Sequence, residues 1–143
     1  MKKRSKNSCP AIIRGIQVLN YIAATGSALS VLIFLFASND FLREFNNGIE
    51  TENRLIVATG YLAIAFLAGL VIYKFRKRDK YAPELYVLAN VLGFAFFEMI
   101  NHFSGYRFSV YEYFVIYFLE ALIMAYLLFN EDAKVYFGKS SRG

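Results

Sequence analysis

The fold is decided by the stretch from residue 55 to residue 80, where a long apolar run meets a dense cluster of positive charge. It reads LIVATGYLAIAFLAGLVIY over residues 55–73 and KFRKRDK over residues 74–80. An uncharged run of this length can cross about 30 Å of hydrocarbon as a helix, because each residue adds about 1.5 Å. The stretch therefore predicts a membrane-spanning helix that ends in a basic loop.

Three other windows have a similar length and hydropathy, which makes four predicted spans at about residues 15–36, 55–73, 84–103 and 111–129. The chain is 57% hydrophobic with a mean hydropathy of +0.39, whereas soluble domains contain roughly 45–50% apolar residues. Four strands cannot close a barrel, and open sheet edges are not tolerated in lipid. We therefore predict an all-α fold, with residues 1–143 forming one integral membrane domain, an antiparallel up-down four-helix bundle.

The positions of lysine and arginine predict the orientation of this bundle. Thirteen of the sixteen lie in the N-terminal segment, the loop between spans two and three, and the C-terminal tail, whereas the other side holds Arg43, Arg54 and Arg107. Basic segments stay in the cytoplasm, so both termini and the middle loop are predicted to be cytoplasmic and the protein to lie in the inner (plasma) membrane. The net charge of +5 is then a topology signal, and we expect no nucleic-acid partner.

The basic N-terminal segment could be mistaken for the start of a secretory signal. The apolar stretch after it is longer than the core of a signal peptide, and no small-x-small cleavage site follows it. We therefore expect the first span to remain in the mature protein. The single cysteine, Cys9, allows no internal disulfide and is expected to be an ordinary cytosolic thiol.

The middle basic loop has two interpretations. Its five cations could contact anionic lipid headgroups, at about 1 kcal/mol for each charge near the surface, or they could serve only to set the topology. The candidate lipid contacts are Lys74, Arg76, Lys77, Arg78 and Lys80.

Two carboxylates inside the predicted spans are the strongest candidates for chemistry. Glu120 lies near the middle of span four, and Glu98 lies closer to the outer end of span three. A carboxylate at such depth must pair, face water or take up a proton. His102 follows Glu98 by one helical turn, and Tyr117 precedes Glu120 on one stripe of span four. We predict one polar cluster of these four residues, which could be a proton- or cation-linked site or a hydrogen-bond network that locks two helices.

Small residues at four-residue spacing predict close helix contacts, for example Gly26 with Ser30 and Ala65 with Gly69. In the connections, we expect a turn at residues 46–48 in an acidic outer loop over residues 37–54. Residues 138–143 are expected to be disordered.

Other chemistries find no support in the sequence. One histidine cannot supply two axial haem ligands, and no zinc spacing, phosphate-binding loop or Ser-His-Asp set occurs. We expect no catalytic, cofactor-binding or metal-ligating residues and no enzyme activity. The sequence favours an accessory, assembly or protective partner of another membrane component. The alternative is a small homodimeric proton- or cation-coupled transporter that uses Glu98 or Glu120. Either function requires lipid and a protein partner or a second copy.

The second half of the chain also resembles a family of small four-span bacterial inner-membrane proteins of unknown function. The resemblance is carried by the middle loop, YKFRKR at 73–78 with APEL at 82–85, and by AYLLF at 125–129 with AKVYF at 133–137. The first span departs from the family pattern, which starts with Gly-Gly-Trp where this chain has IRGI at 13–16. The resemblance implies a fold and a membrane location, without an activity.

Overall fold

The computed structural model describes residues 9–46, 53–104 and 109–138, and these residues form helices without any strand. The helices are α1 (Ala11–Phe36), α2 (Asn39–Asn46), α3 (Arg54–Arg76), α4 (Ala82–Ser104), α5 (Val110–Phe129) and α6 (Glu131–Tyr136). By length and composition, α1, α3, α4 and α5 can each cross a membrane. Over the described residues, the prediction of an all-α fold with four helices long and apolar enough to cross a membrane is therefore confirmed.

The two short helices were not predicted. α2 lies within the expected outer loop and begins after Ser38, whose hydroxyl accepts a hydrogen bond from the Phe41 amide at 3.2 Å. α6 follows α5 directly, and Asn130 caps it by accepting from the amide of Asp132 at 2.9 Å. Such short helices depend on capping side chains, which hydropathy windows do not detect. The expected turn at 46–48 and the expected disorder at 138–143 fall almost wholly outside the described residues.

Capping also fixes where α5 begins. The Ser109 hydroxyl accepts from the Glu112 amide at 3.2 Å, and the Glu112 carboxylate accepts from the Ser109 amide at 2.7 Å. This reciprocal capping box satisfies two backbone donors that the first helical turn would otherwise leave unpaired. It starts α5 within one residue of the predicted boundary.

The extensive helix contacts are those of α3, which packs along α1 on one side and along α4 on the other. α5 approaches α4 less closely than these pairs approach each other. α3 and α4 approach each other closely at Gly60, where an added Cβ would lie 2.7 Å from Ile100 Cγ1. Gly26 and Gly69 are different, because a Cβ at either would meet nothing within 4 Å. The prediction that these two glycines mark close helix contacts is wrong within this chain.

The larger apolar core lies at the end of the molecule that carries the loop 77–81, which we call the basic end. Here the first turns of α1 and α4 pack against the last turns of α3 and α5, and α6 packs against the same cluster. Phe75 is fully buried and contacts the Phe137 ring edge-on at 5.0 Å and the Tyr86 ring at 6.0 Å. The buried members are Ile13, Ile16, Val71, Phe75, Ala82, Tyr86, Ala89, Leu127, Ala133 and Phe137.

A smaller core lies at the opposite end and contains no residue of α5. Its buried members are Phe34, Leu42, Val57, Ala58 and Ile100. Polar contacts strengthen this end, since the Arg54 guanidinium donates to the carbonyl of Ala37 at the end of α1. The neighbouring Asn53 amide donates to the carbonyl of Phe103 near the end of α4 at 3.4 Å. The start of α3 thus holds the ends of both neighbouring helices, whereas the buried apolar residue of α5, Leu127, lies at the basic end.

The sides of the molecule are apolar. Large side chains are more than half exposed on all four long helices, including Ile22, Leu62, Val91 and Phe114. Leu127 is the only fully buried residue of α5. A contiguous apolar surface on this scale is unsuited to water. It matches the surface that a membrane-spanning helix presents to lipid.

Candidate functional site

Glu98 on α4 is bound by two tyrosines of α5. The hydroxyl of Tyr113 donates to Glu98 Oε2 at 3.2 Å, and the hydroxyl of Tyr117 donates to Glu98 Oε1 at 3.2 Å. The carboxylate remains exposed at the side of the molecule. Since Glu98 lies six residues before the last residue of α4, it sits about 9 Å from that helix end, within the membrane-crossing part of the helix.

The tyrosines are themselves held in position. Their rings stack at a centroid distance of 5.8 Å with an interplanar angle of 8°. The buried Asn101 amide donates to the Tyr113 hydroxyl at 3.5 Å, and the Phe94 ring lies 4.6 Å from that of Tyr117. The predicted stripe of α5 thus faces α4, and its tyrosines orient two hydroxyl donors toward one carboxylate.

Glu120 lies in a separate arrangement nearer the basic end. Its Oε2 accepts a hydrogen bond of 2.7 Å from the hydroxyl of Tyr86, which is only 3% exposed. Tyr86 belongs to the larger apolar core, so the carboxylate is bound through a side chain that packing holds rigidly. Glu120 is at the middle of α5, with nine residues between it and Val110, so it lies about 15 Å from that helix end.

The four predicted site residues therefore do not form one hydrogen-bonded cluster. The structure brings Glu98 and Tyr117 together, whereas Glu120 pairs with Tyr86. Tyr86 and Glu98 are twelve residues apart on α4, or about 18 Å along its axis. His102 is exposed, and its ring contacts the adjacent Phe103 ring edge-on at 5.1 Å. Helical spacing correctly places His102 on a surface next to Glu98, but the carboxylate is drawn toward α5.

Tyr86 is the site residue that sequence reasoning missed. Its position near the start of α4 is that of an interfacial aromatic residue, and the sequence offers no sign that its hydroxyl reaches the middle of α5. In the sequence, a polar face on this part of α4 is marked only by Asn90, four residues after Tyr86. In the structure the Asn90 side-chain amide donates to the Tyr86 carbonyl at 2.9 Å.

The site can accept hydrogen bonds or a proton. An ionised carboxylate has about four acceptor positions, and the tyrosines occupy two of those on Glu98. Because Glu98 is exposed, the remaining positions could receive a proton, a cation or a donor from another molecule. Among residues 9–46, 53–104 and 109–138, no group of three His, Cys, Asp or Glu side chains could hold a metal ion.

The predicted lipid contacts fall into two groups. Lys74 is engaged within the protein by an ion pair with Asp79 at 2.6 Å, and Arg78 lies over the Tyr136 ring at 4.9 Å. Lys77 and Lys80 are exposed, and each lies over a tyrosine ring of its own segment. The fifth residue, Arg76, is also exposed. The Lys74 ammonium holds the pKa of the Asp79 carboxyl below its usual value, through the hydrogen bond between them.

Over the described residues, these features define an all-α fold with four helices long and apolar enough to cross a membrane, which suggests a multi-pass membrane protein, and with two carboxylate sites within those helices. Comparison with known proteins adds no closer assignment: no family model matches the chain, and no curated protein and no solved structure matches it.

Proposed function

We propose that this chain is a non-catalytic accessory or assembly partner of another membrane protein, bound side by side with it in the inner (plasma) membrane. In this proposal the four long helices are antiparallel, and the basic end and both termini are cytoplasmic. The observation that carries the proposal is the exposed carboxylate of Glu98 on the flank formed by α4 and α5.

The surroundings of the Glu98 carboxylate make its charge energetically unfavourable. A charged side chain inside the bilayer is unfavourable by about 2.5–3.5 kcal/mol on insertion scales. Two tyrosine hydroxyls reduce this penalty, but Glu98 is exposed and its remaining acceptor positions have no other hydrogen-bond donor among the described residues. A partner helix that carries a hydrogen-bond donor or a cation at the same depth would satisfy them, because polar side chains join helices in membranes.

The attachment of α5 supports the same interpretation. Apolar packing of Leu127 holds this helix at the basic end, while toward the other end Tyr113 and Tyr117 donate to Glu98 and α5 contributes no residue to the smaller core. The flank between α4 and α5 therefore exposes polar groups at its surface and remains open on its outer side. A helix of another protein could lie there without displacing any of the tightly packed contacts between α1, α3 and α4.

Photo-crosslinking tests the proposal. A photoreactive amino acid is placed at Val91, which is 57% exposed and two helical turns before Glu98 on α4, and separately at Leu29 of α1, which is 55% exposed. We expect a protein adduct from position 91 and lipid adducts alone from position 29. Lipid adducts alone at both positions would contradict association through this flank.

Self-adducts from position 91 would instead favour a homodimeric proton- or cation-coupled transporter, the second candidate. The observation that favours it is Glu120, which lies at mid-depth in α5 with a single hydroxyl donor, that of Tyr86. In that case the two carboxylates would be the protonatable groups, and proton-coupled flux would be measured on Glu98→Gln and Glu120→Gln.

Orientation is tested separately by thiol labelling of intact cells in a Cys9→Ser background. The exposed positions Lys77 and Asp40 lie at opposite ends of the molecule. We expect Asp40→Cys to react with an impermeant maleimide from outside, and Lys77→Cys to react only after the cells are opened. The reverse pattern would overturn the proposed orientation.

A further inference from the structure

The loop at the basic end is a rigid connection. The Asp79 amide donates to the Lys74 carbonyl and the Arg78 amide donates to the Phe75 carbonyl, both at 3.1 Å. These two bonds form a Schellman motif, with Arg78 in the left-handed conformation at φ 50°. The Asp79 carboxylate then accepts from the Tyr81 amide at 2.9 Å. The loop therefore has one defined shape between α3 and α4.

In this conformation Asp79, the one acidic residue of the loop, makes its contacts within the protein. Asp79 binds Lys74 through Oδ2 and the Tyr81 amide through Oδ1. Among the described residues, neither Lys77 nor Lys80 has a carboxylate partner. The two ammonium groups of the same loop are thus outside any direct ion pair, although the charge of Lys80 also contributes to lowering the pKa of Asp79.

Each of these lysines is held over a tyrosine ring. The Lys77 ammonium lies 5.9 Å from the centre of the Tyr73 ring, and the Lys80 ammonium lies 4.8 Å from that of Tyr81. Both rings are more than half exposed, at 58% and 60%. A cation over an aromatic face is attracted by the ring quadrupole, and its N–H donors that point away from the ring remain available.

The depth of the rings determines what these donors can reach. Exposed tyrosines at the ends of membrane-crossing helices lie at headgroup level. Lysines stacked on them are therefore held at the level of the lipid phosphates, close to where α3 ends and α4 begins. A phosphate oxygen is the acceptor that an ammonium group meets at that depth.

We propose that Lys77 and Lys80 bind the phosphate of anionic phospholipids, with Tyr73 and Tyr81 holding the two ammonium groups at headgroup depth. This goes beyond the topology signal that the sequence gives, because it assigns the contact to two of the five basic residues. It is also independent of association through α4 and α5.

The test is native mass spectrometry of the purified full-length protein in a neutral detergent, titrated with phosphatidylglycerol or with phosphatidylcholine. We expect the wild-type protein to bind phosphatidylglycerol more tightly. Each charge near the surface is worth about a fivefold change in affinity, so Lys77→Gln with Lys80→Gln should weaken binding about 25-fold. Equal binding of the two lipids, or unchanged affinity in the double variant, would overturn the proposal.

Two matched controls separate a specific contact from general attraction. Lys134→Gln removes the same charge at the same end, but Lys134 is paired with Glu131 at 3.0 Å, so we expect little change in affinity. A loss equal to that of Lys77→Gln would show attraction to net charge alone and contradict the proposal. Tyr81→Phe keeps the ring and should bind normally, whereas Tyr81→Leu should weaken binding; equal behaviour of these two variants would contradict the role of the ring.

A soluble phosphate is the other possible source of the same chemistry. The lipid titration is therefore repeated with inorganic phosphate present in large molar excess over the lipid. We expect the binding of phosphatidylglycerol to be unchanged. Displacement of the lipid from the wild-type protein, but not from the Lys77→Gln, Lys80→Gln variant, would identify a soluble-phosphate site instead.

Discussion

The packing of α3 against α4 makes a specific prediction about two glycines of the same helix. At Gly60, an added Cβ would lie 2.7 Å from Ile100 Cγ1, 3.0 Å from Ile100 Cδ1 and 3.1 Å from Met99 Cε. At Gly69 the same Cβ would meet nothing within 4 Å. Because Ile100 is only 2% exposed, it has little room to move away. We therefore expect Gly60→Ala to destabilise the protein and Gly69→Ala to leave it unchanged or more stable.

The difference between the two variants isolates the steric contribution. Alanine is more favourable than glycine in a helix interior by about 1 kcal/mol, and both variants gain this. Overpacking of a well-packed contact is unfavourable by about 1–3 kcal/mol, and only Gly60→Ala suffers it. The free energies of unfolding should therefore differ by about 1–3 kcal/mol, with Gly60→Ala the less stable.

Equilibrium unfolding in mixed micelles with increasing dodecyl sulfate, followed by circular dichroism, measures these free energies. Ile100→Ala removes the two nearest atoms that the new Cβ would meet and leaves only the flexible end of Met99, so Gly60→Ala should lose most of its penalty in that background. Equal stability of Gly60→Ala and Gly69→Ala, or a penalty that persists with Ile100→Ala, would refute the close approach of α3 and α4 at this point.

Three other predictions concern polar contacts. Tyr86→Phe and Glu120→Gln should be coupled by about 0.6–2 kcal/mol in a double-mutant cycle of unfolding free energies, and additive effects would contradict their hydrogen bond. Arg54→Ala should lower the free energy of unfolding by about 1–3 kcal/mol because a charge-assisted hydrogen bond to the end of α1 is lost; wild-type stability would contradict this role. Since folding lowers the pKa of Asp79, its contribution is present above the ordinary value of 3.8 and is lost as the pH falls through the lowered one. Thermal unfolding from pH 6 to pH 2 should show this loss, and Asp79→Asn should remove that part of the pH dependence; an identical profile would exclude the contact with Lys74.

The four long helices could be predicted from the sequence because hydrophobic length is a property of each segment alone. The boundaries of α5 are almost those expected, since the apolar run and the Ser109 cap coincide. α2 and α6 were missed because short helices outside the spans depend on caps and on burial of single side chains such as Leu42 and Phe137. Local sequence patterns carry little information about such contacts.

The candidate site was predicted only in part, for a geometric reason. Helical spacing correctly places Tyr117 on the stripe of α5 that meets Glu98, and the structure adds Tyr113 one turn earlier. Residue spacing along one helix does not show how two helices are tilted and shifted relative to each other. This relative placement determines that Glu120 contacts Tyr86 and not Glu98.

The glycines illustrate the same limit. Gly60 and Gly69 lie in one apolar run, and both are small residues on a membrane-crossing helix. Only the crossing of α3 and α4 decides that Gly60 is at the contact and Gly69 is exposed. The sequence therefore predicts that helices associate through small residues, without selecting the residues that do so.

The central claim is association with a different membrane protein through the flank of α4 and α5. Native mass spectrometry of the protein, extracted gently from its own membrane, tests it most directly. We expect a complex of this chain with a stoichiometric foreign subunit, and we expect Glu98→Leu to lose that subunit while Leu29→Ala retains it. A homodimer without any other protein, or a foreign subunit that Glu98→Leu retains, would refute association with a different protein through this flank.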